Sequence, residues 1–171
     1  MFKLLRILFL LLVLIQIAIP RSMKACDCIG ESTVKGELKA SDIVVVGKVL
    51  AKNVVEIAET ISWGSSTDTS KMRTLMKFHE SKYTVLLTHK YKGRIKQDTV
   101  TIVTGMGGGD CGFKFEIGKD YIIYAQKETN GSHFFGDEGN GTIPGVFRTN
   151  ICRRTMEFNQ KEIDELEKNI K

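Results

Sequence analysis

Once its first 25 residues are set aside, this chain has almost no charge surplus. It carries 25 Lys and Arg against 20 Asp and Glu, but Lys3, Arg6, Arg21 and Lys24 all precede Cys26 and no acid does. Removing those four leaves 21 bases against 20 acids, a balance of about +1. A balance that even, without a Lys/Arg run interleaved with aromatics, argues against a nucleic-acid binder. Histidine is scarce. His79, His89 and His133 are scattered with no i, i+4 pairing, and they read as strand or surface positions rather than metal ligands. No phosphate loop is present, because residues 105–109 lack the terminal Gly-Lys-Ser/Thr and precede a strand-like stretch into Cys111. No apolar run reaches bilayer length. Residues 7–19, broken by Gln16, would cover roughly 20 Å as a helix, against a hydrocarbon core of roughly 30 Å. There are no internal repeats.

What the apolar run does fit is a secretory leader. Lys3 and Arg6 give a positive start, Pro20 ends the run, and Ser22, Met23 and Ala25 form a cleavage zone. The expected division is a signal peptide over residues 1–25 and one domain over 26–171, a length suited to one core. Cleavage after Ala25 would make Cys26 the first residue of a secreted, extracellular protein. Met23-Lys24-Ala25-Cys26 also has the Ala-Cys end of a lipobox, so in a bacterium the alternatives are the periplasm or a lipid-anchored surface protein. Four cysteines, Cys26, Cys28, Cys111 and Cys152, are an even number in an exported chain, so a disulfide framework is the default. Spacing alone leaves all three pairings open. Paired cysteines in an oxidising compartment are inert, so a Cys/His nucleophile is set aside and no enzyme is expected.

The pattern along the chain is mainly β. Residues 32–41 suggest a short helix, with Ser32 as cap and Val34 and Leu38 on one face. Asp42-Ile43-Val44-Val45-Val46-Gly47-Lys48-Val49-Leu50 reads as a buried strand that extends toward Val55. Residues 56–77, around Ile61 and Trp63, dissolve into Ser, Thr and Gly and read as a long loop or a mobile hairpin, with Trp63 either an exposed anchor or folded onto the body. Strands follow at residues 82–91, 98–104, 113–117, 121–125 and 143–151. A polar Gly/Asn-rich loop spans 129–141, where Asn130 and Asn140 match glycosylation acceptors. Asn159 and Glu162 form a variant capping box before a final helix with Ile163, Leu166 and Ile170 on one stripe. Five or six strands with a short N-terminal and a C-terminal helix fit an OB-like Greek-key barrel.

Four segments carry a resemblance. They are Cys26-Asp27-Cys28, Ala40-Ser41-Asp42-Ile43-Val44-Val45-Val46-Gly47-Lys48-Val49, Asp110-Cys111-Gly112-Phe113 with Gly118-Lys119-Asp120-Tyr121 after it, and Asn150-Ile151-Cys152 before the terminal helix. In this order and spacing they resemble the netrin-like domain, and most closely the inhibitory N-terminal domain of the tissue inhibitors of metalloproteinases. The resemblance covers nearly all of residues 26–171. It implies pairing of Cys26 with Cys111 and of Cys28 with Cys152. It has three departures. No cysteine lies between Cys28 and Cys111 to form the family's further disulfide, and no cysteine-rich second subdomain follows the helix. Asp27 stands where a small or hydroxylated residue is usual.

The resemblance also implies a mode of action. The α-amine and carbonyl of Cys26 would chelate the catalytic zinc of a target metalloprotease and expel its water. Asp27 would enter the primary specificity pocket, with Cys28, Gly109 and Asp110 completing the contact ridge beside Gly108. A carboxylate in an apolar pocket carries a desolvation penalty. Either the target pocket is basic or wide, or the chain is a secreted netrin-like binding module without protease inhibition. The expected partner is a secreted or cell-surface zinc metalloprotease or another extracellular protein. The only metal involved would be the target's zinc, there would be no cofactor of its own, and the protein would act as a monomer.

Overall fold

Five consecutive residues, Ile43 to Gly47, set the architecture because they bury alternately on two sides. The computed structural model describes residues 6, 26, 28, 30, 32–63, 72–107, 109–129 and 141–170. In chain order the elements are α1 (Val34–Ala40), β1 (Ile43–Trp63), β2 (Met72–Lys92), β3 (Thr99–Gly105), β4 (Asp120–Thr129), β5 (Thr142–Arg148), β6 (Met156–Glu157) and α2 (Gln160–Ile170). Ile43, Val45 and Val49 face one cluster with Tyr83, Val85, Ile102, Tyr121 and Ile123. Val44 and Val46 face a second cluster with Val34 of α1, Ile122 and Tyr124 of β4, and Ile163 and Leu166 of α2. A strand covered on both faces has no polar alternation to show, which is why this run is almost purely β-branched.

The sheet closes on itself. β1 pairs antiparallel with β2, β2 with β3, β3 runs parallel to β5, β5 pairs with β4, and β4 returns to β1 over residues 43–48. This ring is an OB-like Greek-key barrel, with β6 added beside β4. Register shifts at Val44/Val45, Val46/Gly47 and Val49/Ala51 bend β1 so that it can serve two neighbours. At Gly47 a Cβ would lie 2.5 Å from Val85 and 2.7 Å from the Leu86 carbonyl, so the close approach at the bend requires glycine.

Several expectations are corrected. Of the two readings for residues 56–77, a long loop or a hairpin, the described residues 56–63 and 72–77 take the paired form. β1 continues to Trp63 and β2 begins at Met72, giving a two-stranded ribbon in register from Ala51↔Thr84 to Trp63↔Met72. The side chains of Ile61 and Trp63 lie outside the described residues, as do Asn130, Asn140 and His133. Thr33, not Ser32, caps α1, its hydroxyl accepting the Gly36 amide at 3.1 Å. Residues 113–117 form no strand, because the Phe113 and Glu116 amides donate to the Thr104 and Tyr121 hydroxyls at 2.8 and 2.9 Å instead of to a neighbouring ladder. The last long strand stops at Arg148, and residues 149–155 turn. Asn159 does cap α2 through the Lys161 amide. Glu162 does not reach back to it; it is buried against Tyr124 and Arg154. Ile163 and Leu166 are core, whereas Ile170 is exposed.

Candidate functional site

Cys26 and Cys28, the turn after β3 and the turn after β5 meet at one place. Cys26 is disulfide-bonded to Cys111 and Cys28 to Cys152, with Cα atoms 5.5 and 5.2 Å apart. These are the pairs the resemblance implies. The two receiving turns are themselves joined, because the Ile151 amide donates to the Cys111 carbonyl at 2.9 Å. Two cross-links two residues apart thus land on a single hydrogen-bonded unit.

The turn that carries Cys111 is built around Asp110. Its carboxylate accepts the amides of Met106 at 2.6 Å, Gly107 at 2.8 Å and Gly112 at 3.1 Å. Burial pushes the Asp110 carboxyl up, but the Gly112, Met106 and Gly107 amides outweigh it and hold it below the usual carboxylate range. Cys111 adopts φ 56°, the one positive φ outside glycine among the described residues. Gly112 packs on the backbone of Gly105, and a Cβ there would lie 2.5 Å from the Gly107 nitrogen. Any side chain at 112 would therefore break the turn. Behind it, Phe113 and Phe115 stack at 4.6 Å, and Phe115 meets Tyr83 and Tyr121 at 5.0 and 4.9 Å. The aromatic pair anchors the turn to the barrel core.

The Cys152 turn is fastened as well. Asn150 Oδ1 accepts the Cys152 amide at 2.9 Å. The hydroxyls of Thr149 and Thr155, on either side of the turn, both donate to the Tyr124 carbonyl of β4, at 2.8 and 3.1 Å. Arg153 reaches Glu37 of α1 at 3.3 Å. Arg154 donates to the Ser32 carbonyl at 2.5 Å and is paired with Glu162. Burial pushes the Glu162 carboxyl up, but its bonds from Arg154 and Tyr124 outweigh this and hold it low. Burial, and then its bond to that carboxylate, push the Tyr124 phenol up. An open cleft of about 290 Å³, lined by Cys28, Ser32, Thr33, Glu37 and Cys152, lies beside the second disulfide.

Of the ridge residues expected from the sequence, Cys26, Cys28, Gly109 and Asp110 fall within this unit; Asp27 and Gly108 lie outside the described residues. Asp110 is exposed, yet its oxygens are engaged by three amides, so it is a brace for the Cys111 turn and not a free acidic point. Sequence reasoning gave no bracing role to Asn150, Arg154 or Thr104, although Asn150 stood in the segment quoted with Cys152. Of these, only Asn150 had a local signal, an Asn two residues before a cysteine. Among the described residues no group of three or more His, Cys, Asp or Glu is placed to hold a metal ion. Nor, among them, is any helix long and apolar enough to cross a membrane. No protein-family model matches the chain, and no curated protein matches it significantly.

Proposed function

We propose that this chain is a secreted inhibitor of zinc metalloproteases that acts through its processed amino end. Removal of residues 1–25 would leave the Cys26 α-amine free, one residue from Asp27 and two from Cys28. The amine nitrogen and the Cys26 carbonyl oxygen would close a five-membered chelate on the target's zinc and displace the water held there. A ligating amine must be unprotonated, and an α-amine titrates near 7.7–8.0, so the cost at neutral pH is small. The observation that carries this reading is the double clamp, Cys26 to Cys111 and Cys28 to Cys152, on turns that are hydrogen-bonded to each other. An amino end fixed at two points pays its ordering entropy during folding and not on binding. The protein would contribute no catalysis and no cofactor of its own, and would act as a monomer on an extracellular enzyme. A sulfur joined to Cys111 is not available for a lipid thioether, which favours secretion over anchoring.

Asp27 supports a second reading, a secreted netrin-like binding module without inhibition. Its carboxylate would be stranded in an apolar pocket and is tolerated only where the target supplies Lys or Arg. Inhibition assays across a panel of zinc proteases separate the two. The mature protein beginning at Cys26 is compared with a form extended by one residue and with Asp27→Ser. Extension is expected to weaken inhibition by at least ~100-fold, roughly 3 kcal/mol, while leaving simple surface binding unchanged. Asp27→Ser is expected to broaden the set of proteases inhibited. Absence of inhibition by both the native and the Asp27→Ser forms leaves only the binding-module reading.

A further inference from the structure

We propose that a second site, between the β2–β3 turn and the start of β5, binds the sulfate or phosphate ester groups of a sugar. A cleft of about 250 Å³ opens there, and Arg94, Lys96 and Lys127 line it together with Gln97, Thr142 and Ile143. No acid lines it. Lys48, Lys77, Lys119, Arg148, Arg153 and Arg154 each face a carboxylate within 4 Å, while cations without one, such as Lys35, Lys161 and Lys168, are exposed on α1 and α2. Among the described residues, Arg94, Lys96 and Lys127 face none either. In a chain whose charges otherwise nearly cancel, three unmatched cations around one concavity form a local positive field.

The site is held in place before any ligand arrives. Ile95, between the two cations of the turn, packs against the barrel core, so Arg94 and Lys96 flank a fixed anchor. Lys90 donates to the Ile95 and Gln97 carbonyls, both at 3.1 Å, and is thereby committed to the turn itself. On the opposite side the Lys127 amide donates to Asp42 at 2.8 Å, which fixes that strand end and occupies the Asp42 carboxylate. Guanidinium and ammonium groups on rigid backbone suit tetrahedral oxyanions, the Arg through paired donors and the Lys as point charges. Gln97 and Thr142 add neutral donors. Ile143, 37% exposed, supplies an apolar patch for a ring face. The volume is below the usual range for a drug-sized ligand, so it suits one charged sugar unit. The one aromatic among the described lining residues, Phe147, is packed in the barrel core and only 6% exposed, so it offers no base-stacking platform, which disfavours single-stranded nucleic acid. None of these residues belongs to the cystine-linked unit, so the inference is independent of the protease reading.

The test uses the whole purified protein, a heparin-derived sulfated tetrasaccharide, mannose 6-phosphate and a single-stranded DNA oligonucleotide of equal charge to the tetrasaccharide. Binding is measured by calorimetry at 0.1 M salt. Three variants are compared: Arg94→Gln/Lys96→Gln/Lys127→Gln, the charge-matched control Lys35→Gln/Lys161→Gln/Lys168→Gln, and Lys96→Gln alone. The expected result is that the cleft triple loses at least tenfold in affinity for one or both sugars, the single variant two- to threefold, and the control less than twofold. Which sugar binds distinguishes a sulfated chain from a phosphate ester. Binding of neither sugar, an equal loss in the control triple, or tighter binding of the oligonucleotide than of both sugars would overturn the proposal.

Discussion

The cystine-linked end and the outer half of the β1–β2 ribbon are both extensions of the same barrel, but they are held by different means. At the cystine end a few residues are constrained many times over: two disulfides, three amides on one carboxylate, a turn fastened on both sides to Tyr124, and an aromatic pair in the core. Among the described residues, the ribbon beyond the barrel is held mainly by its own cross-strand ladder. β4 leaves β1 after Lys48, and β3 reaches β2 no further than Glu80. Leu75 and Val54 stay 61% and 43% exposed there. The clearest side-chain link is Lys77 with Glu56 at 2.7 Å, an exposed pair worth little. Rigidity is thus concentrated around the four cysteines and the two turns that receive Cys26 and Cys28, and withheld from a longer element with far more backbone. Local stability should differ accordingly, since openings are cheapest where few buried contacts oppose them.

The strongest way to break this contrast is to remove one clamp. Cys28→Ser with Cys152→Ser opens a link that closes 124 residues. In the chain-entropy model that costs roughly 4–5 kcal/mol, less any relief in the native state. Thermal unfolding should shift down by about 10 °C or more. Amide exchange should rise at residues 30–40 and 149–155 while the ribbon keeps its wild-type rates. An equal rise in the ribbon would mean that the two regions open as one unit, and the contrast would be lost.

The same contrast decides what could be read from sequence. The barrel strands were legible because burial imposes a pattern: the valine run of β1, the alternation of β3, the aliphatic stretch of β4. The ribbon was legible only as one of two alternatives, since its inner face is no more than half-buried and its apolar alternation is correspondingly weak. Ser, Thr and charged residues in 56–63 and 72–77 look like loop until they are set across from one another, as Glu56 reaches Lys77 diagonally. Residues 113–117 misled in the opposite direction. Phe113 and Phe115 alternate like a strand, but they are spaced to plug a barrel end, and their segment bonds to side-chain hydroxyls. The capping box at Asn159 was half right because helix starts are local. Glu162 was taken by Arg154 and Tyr124, and Tyr124 is 38 residues away, a distance no local pattern encodes. The cysteines were conspicuous, yet their pairing came only from resemblance, and the brace at Asp110 was visible only once its three amides were placed.

That brace sets the second test, smaller in size. The folded-state carboxyl of Asp110 sits below its ordinary value, so the folded protein gives up the proton more readily than the unfolded chain. Its contribution is therefore complete above the unfolded value of about 3.9 and is lost as pH falls through the lower, folded one. Asp110→Asn should cost about 1 kcal/mol at pH 7, because charge-assisted bonds to a partly solvated group are replaced by weaker ones. It should also flatten the acid limb of the stability curve relative to wild type. Glu162, lowered too, contributes equally to both proteins and cancels in the difference. A difference curve with no slope below pH 4 would show that the turn is held by its glycines and disulfide alone.

The ribbon should give the smallest effect. Ile57 and Phe78 are directly opposed, so residues 58–77 can be replaced by Asn-Gly, a two-residue turn whose twist suits an antiparallel pair. The described strand residues of the deleted stretch, 58–63 and 72–77, ladder with each other, the exposed Lys77–Glu56 pair is the link lost to the retained ribbon, and a two-stranded ribbon is marginal on its own. Shortening the connection recovers a little closure entropy, which offsets the lost ladder. Chemical unfolding of the barrel is then expected to change by less than about 1 kcal/mol, with the disulfides intact. A loss of several kcal/mol would mean that the ribbon packs back on the barrel through residues 64–71 or 130–140. A near-zero result would mean that the six ordered residues removed from each strand, 58–63 and 72–77, contribute almost nothing to folding, and their persistence would then have to be explained by contact with something outside the chain.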